Sequence, residues 1–155
     1  ALGIVPDQFI CQSTDARLAE WMVLNQPTIE CIEQYGKAFR LTNKRIAFLK
    51  AVVQLKDLPF EDARQCLDVF GQLGWLRGNP PDADLDQLLF EFDQSNQIRV
   101  PFRRWIEIRE RVRQVSVEKL NERGLSGKAL GDAIYTERLS VLSTEISAPG
   151  TAPGL

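Results

Sequence analysis

Residues 101–115 read Pro-Phe-Arg-Arg-Trp-Ile-Glu-Ile-Arg-Glu-Arg-Val-Arg-Gln-Val. Pro101 suits the first turn of a helix, where its missing N–H costs no hydrogen bond. Trp105, Ile108, Val112 and Val115 then recur at the spacing of one helical face. This pattern predicts a helix, the longest in the chain, with Trp105 in its core stripe. No strand-like alternation interrupts it.

The same punctuation appears on either side. Thr14–Leu24 places Leu18, Met22 and Val23 at helical spacing. Pro27 is expected to open a short helix and Gly36 to close it. Thr42 is the expected N-cap for a helix through Leu55, with Ile46, Leu49 and Val53 on its apolar face. Pro59 starts the next, with Glu61 and Asp62 in the first turn, where carboxylates favour the helix dipole. Its stripe is Ala63, Leu67 and Phe70, and Gly71 and Gly74 mark its end. Gly78-Asn79-Pro80-Pro81 is a break. A helix from Asp82 to about Phe92 follows, then a polar loop from Asp93 to Val100. Beyond the 101–115 segment, Ser116 restarts a short helix ending at Gly124, and Ser126 caps a last one to about Leu142. From Ser143 the chain is rich in Ser, Ala, Pro and Gly, too polar to order itself. The expectation is an all-α, irregular bundle of about six to eight helices with a disordered C-terminal tail. It divides into a body at 1–98, a basic region at 99–142 and a tail at 143–155.

Composition restricts the chemistry. The chain has 155 residues and no histidine. That excludes Ser-His-Asp and Cys-His catalysis, histidine-ligated metals and the usual general base near neutral pH. Cys11, Cys31 and Cys66 are odd in number and widely spaced, which speaks against a disulfide framework or a zinc site and for a reducing, cytoplasmic setting. No apolar run is long enough to span a bilayer, and Ala1–Ile10 lacks the pattern of a signal peptide. The absence of an initiating Met suggests a processed or excised segment.

Two features compete between a ligand and a bland role. Asp82, Asp84 and Asp86 could gather a divalent cation. They lack the glycine and distal glutamate of a calcium loop, so stabilisation of a helix start is favoured, and no metal site is assigned. Trp21, Trp75 and Trp105 could stack on bases or anchor a partner. Trp105 lies in phase with the core.

Charge is uneven along the chain. Residues 1–98 hold nine Lys/Arg and fourteen Asp/Glu, whereas residues 99–138 hold ten and six. Within the basic stretch Arg outnumbers Lys, and Arg suits bidentate contact with phosphate. The rival is a solvated helix face with Glu107 paired to Arg111 and Glu110 to Arg113. Gly124-Leu-Ser-Gly-Lys-Ala-Leu-Gly131 offers a helix start with open amides and Lys128 in its first turn, which suits an anion. A tight helix–turn–helix would need the same small residues.

These residues carry a resemblance. Phe39-Arg-Leu-Thr-Asn-Lys-Arg-Ile46 is similar to a segment in the helical body of tRNA nucleotidyltransferases and bacterial poly(A) polymerases. Gly124-Leu-Ser-Gly-Lys-Ala-Leu-Gly-Asp-Ala-Ile134, with Arg138-Leu139, resembles a segment near the C-terminus of the same enzymes. Arg103-Arg104-Trp105 falls where such proteins often have an aromatic-basic stretch. The resemblance spans most of residues 15–142. It lacks the family's nucleotidyltransferase head, with its Gly-rich strand–turn and paired metal-binding carboxylates, and the histidines of the metal domain that some bacterial members carry.

The resemblance implies a tRNA-positioning part of such an enzyme, without a catalytic residue or cofactor of its own. Magnesium and CTP or ATP would belong to the head. The implied partners are tRNA or another structured RNA and an N-terminal nucleotidyltransferase head, with no membrane. The candidate phosphate contacts are Arg103, Arg104, Arg109, Arg113, Lys119, Arg123, Ser126, Gly127, Lys128 and Arg138, with Lys44 and Arg45 as a second set. The alternative is a protein-interaction module that docks a partner through Trp21, Trp75 and neighbouring apolar residues.

Overall fold

A computed structural model of the chain describes residues 13–77, 83–95, 102–115 and 117–147. Among these residues there are eight helices and no strands: α1 Thr14–Asn25, α2 Ile29–Ala38, α3 Asn43–Leu55, α4 Ala63–Gln72, α5 Ala83–Ser95, α6 Phe102–Arg113, α7 Val117–Glu122 and α8 Gly127–Ser147. The protein is all-α. None of its described helices is long and apolar enough to cross a membrane.

Side-chain caps start the first four helices. Ser13, Thr28, Thr42 and Asp62 each accept a hydrogen bond from a backbone amide in the first turn that follows. Each cap satisfies a donor that the helix itself cannot. Thr42 does so at the expected place. Pro27 does not open α2 but stands just before its Thr28 cap. Asp62 is itself the cap of α4 rather than a first-turn residue, accepting from the amides of Arg64 and Gln65.

Two glycines behave differently from a simple terminator. Gly36 lies within α2, which continues to Ala38. A Cβ on Gly36 would sit 2.6 Å from both Cγ1 and Cδ1 of Ile46, so the glycine admits α3 rather than ending α2. Gly71 also lies inside its helix, and it is Gly74, at φ 72°, that turns the chain out of α4. Left-handed backbone at a helix end is a position glycine fills without strain.

The chain forms two compact units. The first is Ala1–Asp57 with Gly78–Ile106, and the second is Leu58–Arg77 with Glu107–Leu155. In the first, α1 and α2 pack on α3, and α5 packs on both α1 and α3. Its core includes Met22, Ile32, Leu49 and Val52. Phe48 meets Phe92 edge-on at 6.1 Å, and Phe92 leans on Phe102 at 5.9 Å. In the second unit, α8 packs against α4 and α7, and Cys66, Leu67, Phe70, Trp75, Leu120 and Leu142 are buried.

Helix α6 supplies Phe102–Ile106 to the first unit and the residues from Glu107 to the second. It is shorter than α8, which is the longest described helix. α8 runs on through Ser147 instead of stopping near Leu142. The hydroxyls of Ser143 and Thr144 donate to the carbonyls of Leu139 and Ser140, one turn back, and Glu145 bonds Arg111 of α6. The Glu145 pair ties to α6 a stretch whose composition alone reads as loop, while hydroxyl back-bonding of this kind adds no helix stability. The rest of the expected tail lies outside the described residues, as do Cys11, Asp82 and most of the 93–100 loop.

Candidate nucleic-acid interface

The turn between α7 and α8 is built by glycine. Gly124 closes α7 at φ 77°, and Gly127 begins α8 at φ 55°. Nothing lies within 4 Å of a Cβ built on Gly127, so this residue serves the backbone conformation and not a close approach. Ser126, Gly127 and Lys128 are all exposed at this helix start. Helix starts present unpaired amides and the positive end of the dipole, and Lys128 adds a full charge in the first turn. Lys119, on α7, is exposed as well. Arg123 follows it and holds Glu137 of α8 at 3.2 Å, with both side chains largely in solvent. Such a pair is weak and easily exchanged for another anion.

Other arginines of the second unit are turned to internal use. Arg109 is only 2% exposed. Its guanidinium carbon lies 5.0 Å from the centroid of the Trp75 ring, while Nε and Nη2 each donate to Glu110 Oε1 at 2.9 Å. That geometry withdraws Arg109 from the surface, so it is removed from the set of phosphate contacts. The periodicity contained the signal: Arg109 stands one turn from Trp105 and in phase with Val112. Arg113 also approaches Glu110, at 4.0 Å, the pairing expected from their spacing. Arg111 bonds Glu145 of α8.

Arg138 is half-buried on α8, and its Nη2 reaches the Leu76 carbonyl at 3.5 Å. Its Nε is buried without a hydrogen-bond partner among the described residues. Burial, and then the neighbouring Arg113 charge, lower its pKa from the ordinary arginine value. The side chain borders an open groove of about 610 Å³ between α4 and α8, lined also by Leu67, Gly71, Leu76, Ile134 and Tyr135. This groove is not legible in the sequence, because its walls come from segments far apart in the chain.

In the first unit, Lys44 bonds Asp84 of α5 at 2.5 Å, and Arg45 holds Asp15 of α1 at 2.6 Å. Both cations therefore tie helices together. Asp84 is a counter-ion, and among the described residues no group of three or more Cys, Asp or Glu is arranged to hold a metal. Arg103 is exposed and Arg104 half-buried in the first turn of α6.

The tryptophans divide. Trp105 is fully buried and Trp75 is 6% exposed against Phe70 and Arg109. Trp21 alone is half-exposed. It meets Tyr35 edge-on at 6.2 Å, and Tyr35 stacks on Phe39 at 5.8 Å with 11° between the planes. Phe39 is 62% exposed. Tyr35 and Phe39 stand one helical turn apart, which is the local trace of this ladder in the sequence.

The charge split along the chain does not survive folding. Each unit draws on both halves of the sequence. The first holds ten Lys/Arg and eleven Asp/Glu, the second nine and ten, so each carries a net charge of −1.

The chain matches no family model, no curated protein and no solved structure with which it was compared.

Proposed function

We propose that this chain is an RNA-positioning helical domain of a tRNA nucleotidyltransferase-like or poly(A) polymerase-like enzyme, acting in tRNA processing alongside a separate nucleotidyltransferase head. The observation that carries the reading is the exposed start of α8. Ser126, Gly127 and Lys128 stand in solvent there, beyond a turn whose two left-handed glycines fix the direction of the first amides. Amides and an ammonium in one turn match a phosphate oxygen in charge and hydrogen bonding. Lys119 adds positive charge on the preceding helix, and Arg123 adds more just after it.

The two segments that carry the resemblance support it. One supplies the Thr42 cap of α3, and the other forms the α7–α8 turn and the first half of α8. The remaining contact candidates are Arg103, Arg104, Arg113 and Arg138. Lys44 and Arg45 would have to leave Asp84 and Asp15 to join them. The protein-docking alternative loses one of its two anchors, because Trp75 is buried.

The test is a titration of the whole chain with a tRNA at low and moderate salt. Affinity should fall steeply with salt, as phosphate contacts release counterions. Lys128→Glu should reduce the salt slope by about one. A glutamate in the first turn is favourable to the helix, so the variant should remain folded. Absence of binding at low salt would overturn the proposal.

A further inference from the structure

The Phe39 ring is the most exposed large apolar side chain among the described residues. Leaving such a ring in water forgoes the stabilisation that its burial would bring. It is nevertheless held in a defined orientation. Tyr35 lies nearly parallel to it, and Trp21 braces Tyr35 edge-on. Offset-parallel and edge-on contacts are the favoured geometries for aromatic pairs. The three rings thus form a ladder, with Phe39 as its outermost and most exposed step.

The backbone beside the ring supplies a second observation. α2 ends in a Schellman turn. The Leu41 amide donates to the Gly36 carbonyl at 2.8 Å, and the Arg40 amide donates to the Lys37 carbonyl at 3.2 Å. This turn requires a left-handed residue, and Arg40 fills it at φ 52°. Glycine is the usual occupant because a side chain is strained there. Here the position carries an exposed cation, next in sequence to the exposed ring. Arg40 makes no ion pair among the described residues. Lys37, in the last turn of α2, is a second exposed cation two residues before Phe39.

An exposed apolar ring with exposed cations close to it in the sequence suits a nucleotide, which offers a flat base and an anionic phosphate. We infer that Phe39, backed by Tyr35 and Trp21 and with the exposed cations Lys37 and Arg40 near it in sequence, is a stacking platform for an unpaired base of single-stranded RNA. This rests on the RNA-binding reading and deepens it by naming a second kind of contact. A fully paired stem keeps its bases stacked on one another and has none to offer the ring. Recognition through stacking tolerates any base, since each has a π face.

The experiment uses the full chain and two labelled RNAs: an unstructured oligoadenylate and a stem closed by a short stable loop. Fluorescence anisotropy gives both affinities. Phe39→Ala should lower oligoadenylate affinity about tenfold, leave the stem within twofold, and keep the helical circular dichroism of the parent. Phe39→Trp should restore oligoadenylate binding. Arg40→Gly should reduce the salt slope for oligoadenylate by about 0.7.

Tryptophan emission gives an independent readout. Trp75 and Trp105 are buried, so quenching on addition of oligoadenylate should come from Trp21 and weaken in Phe39→Ala. Unchanged oligoadenylate affinity in Phe39→Ala, with the stem still bound by the parent, would overturn the platform and leave the RNA reading intact. Binding of neither RNA by the parent at low salt would overturn both. If Phe39→Ala changed only self-association in sedimentation, the ring would be a protein contact and the platform would fall.

Discussion

The Arg109 guanidinium lies 5.0 Å from the centre of the Trp75 ring, with both residues buried and the charge shared with Glu110. A desolvated cation over an aromatic face contributes on the order of 2 kcal/mol. Truncation to alanine removes that attraction and leaves a void beneath the indole. Arg109→Ala should therefore destabilise the fold by about 2–4 kcal/mol. Arg109→Lys should recover only part of this, because an ammonium lacks the planar surface that stacks. Denaturant titration followed by Trp fluorescence measures both. A loss below about 0.5 kcal/mol for the alanine variant, the range of ordinary surface changes, would contradict this account. The same variants should leave the salt slope for tRNA unchanged, since Arg109 does not face solvent.

Gly36 and Ile46 form a tighter test of packing. A methyl at position 36 would fall 2.6 Å from two carbons of Ile46. Alanine gains about 1 kcal/mol over glycine from helix propensity. Forcing extra volume into a packed contact costs about 1–3 kcal/mol. Cγ1 of Ile46 is close to its backbone and cannot swing clear as a chain end would, so the clash should win. Gly36→Ala is expected to destabilise by about 1–2 kcal/mol. In an Ile46→Ala background the same substitution should become neutral or stabilising. A double-mutant cycle with no coupling between the two sites would show that the glycine serves another purpose.

Local rules made much of the fold legible, and pairings distant in sequence account for most of what was not. The Thr42 cap, the helix end at Gly74 and the apolar stripes at 63–70 and 105–112 depend on neighbours within a turn or two, so they are legible without tertiary knowledge. Ser143 and Thr144 read as tail from composition, but Glu145 reaches Arg111 on another helix. The basic stretch read as a charged lobe, yet folding matches it against acidic residues such as Glu137 and Glu145. Of the candidate site, the α7–α8 turn was visible because glycine and serine mark it locally. The exposure of Phe39 was not, because an aromatic at a helix end is ordinarily read as core.

Cys66 gives the protein a pH dependence of its own. The thiol is fully buried and donates to the Pro59 carbonyl at 3.3 Å. Burial, with the nearby Asp62 carboxylate, pushes its pKa up to about 11. Free in water the same thiol ionises at 9.0. The unfolded chain thus sheds this proton first as pH rises, and stability fully present below that value is progressively lost as pH climbs toward about 11. By pH 10 the loss should be on the order of 1 kcal/mol, and Cys66→Ala should lack that component. Melting curves of both proteins between pH 7 and pH 10 should diverge in slope, whatever the constant cost of the substitution. Parallel curves would mean that the thiolate is tolerated inside. The same burial predicts slow alkylation of Cys66 in the native state compared with half-exposed Cys31.

Arg40 sets stability against binding. Its left-handed backbone costs roughly 1–2 kcal/mol relative to a residue without Cβ. Glycine would remove that strain but would also loosen the unfolded chain, which offsets part of the gain. The net expectation for Arg40→Gly is a stabilisation of about 0.5–1 kcal/mol, since the turn already keeps both of its hydrogen bonds without any help from the side chain. Arg40→Ala separates the terms: it removes the charge but keeps the Cβ strain, so it should leave stability near the parent value. Both variants should weaken oligoadenylate binding alike, because both delete the cation beside Phe39. A glycine variant no more stable than the alanine variant would show that the left-handed residue is not strained. Equal stability gains in both would assign the cost to the charge instead of the backbone.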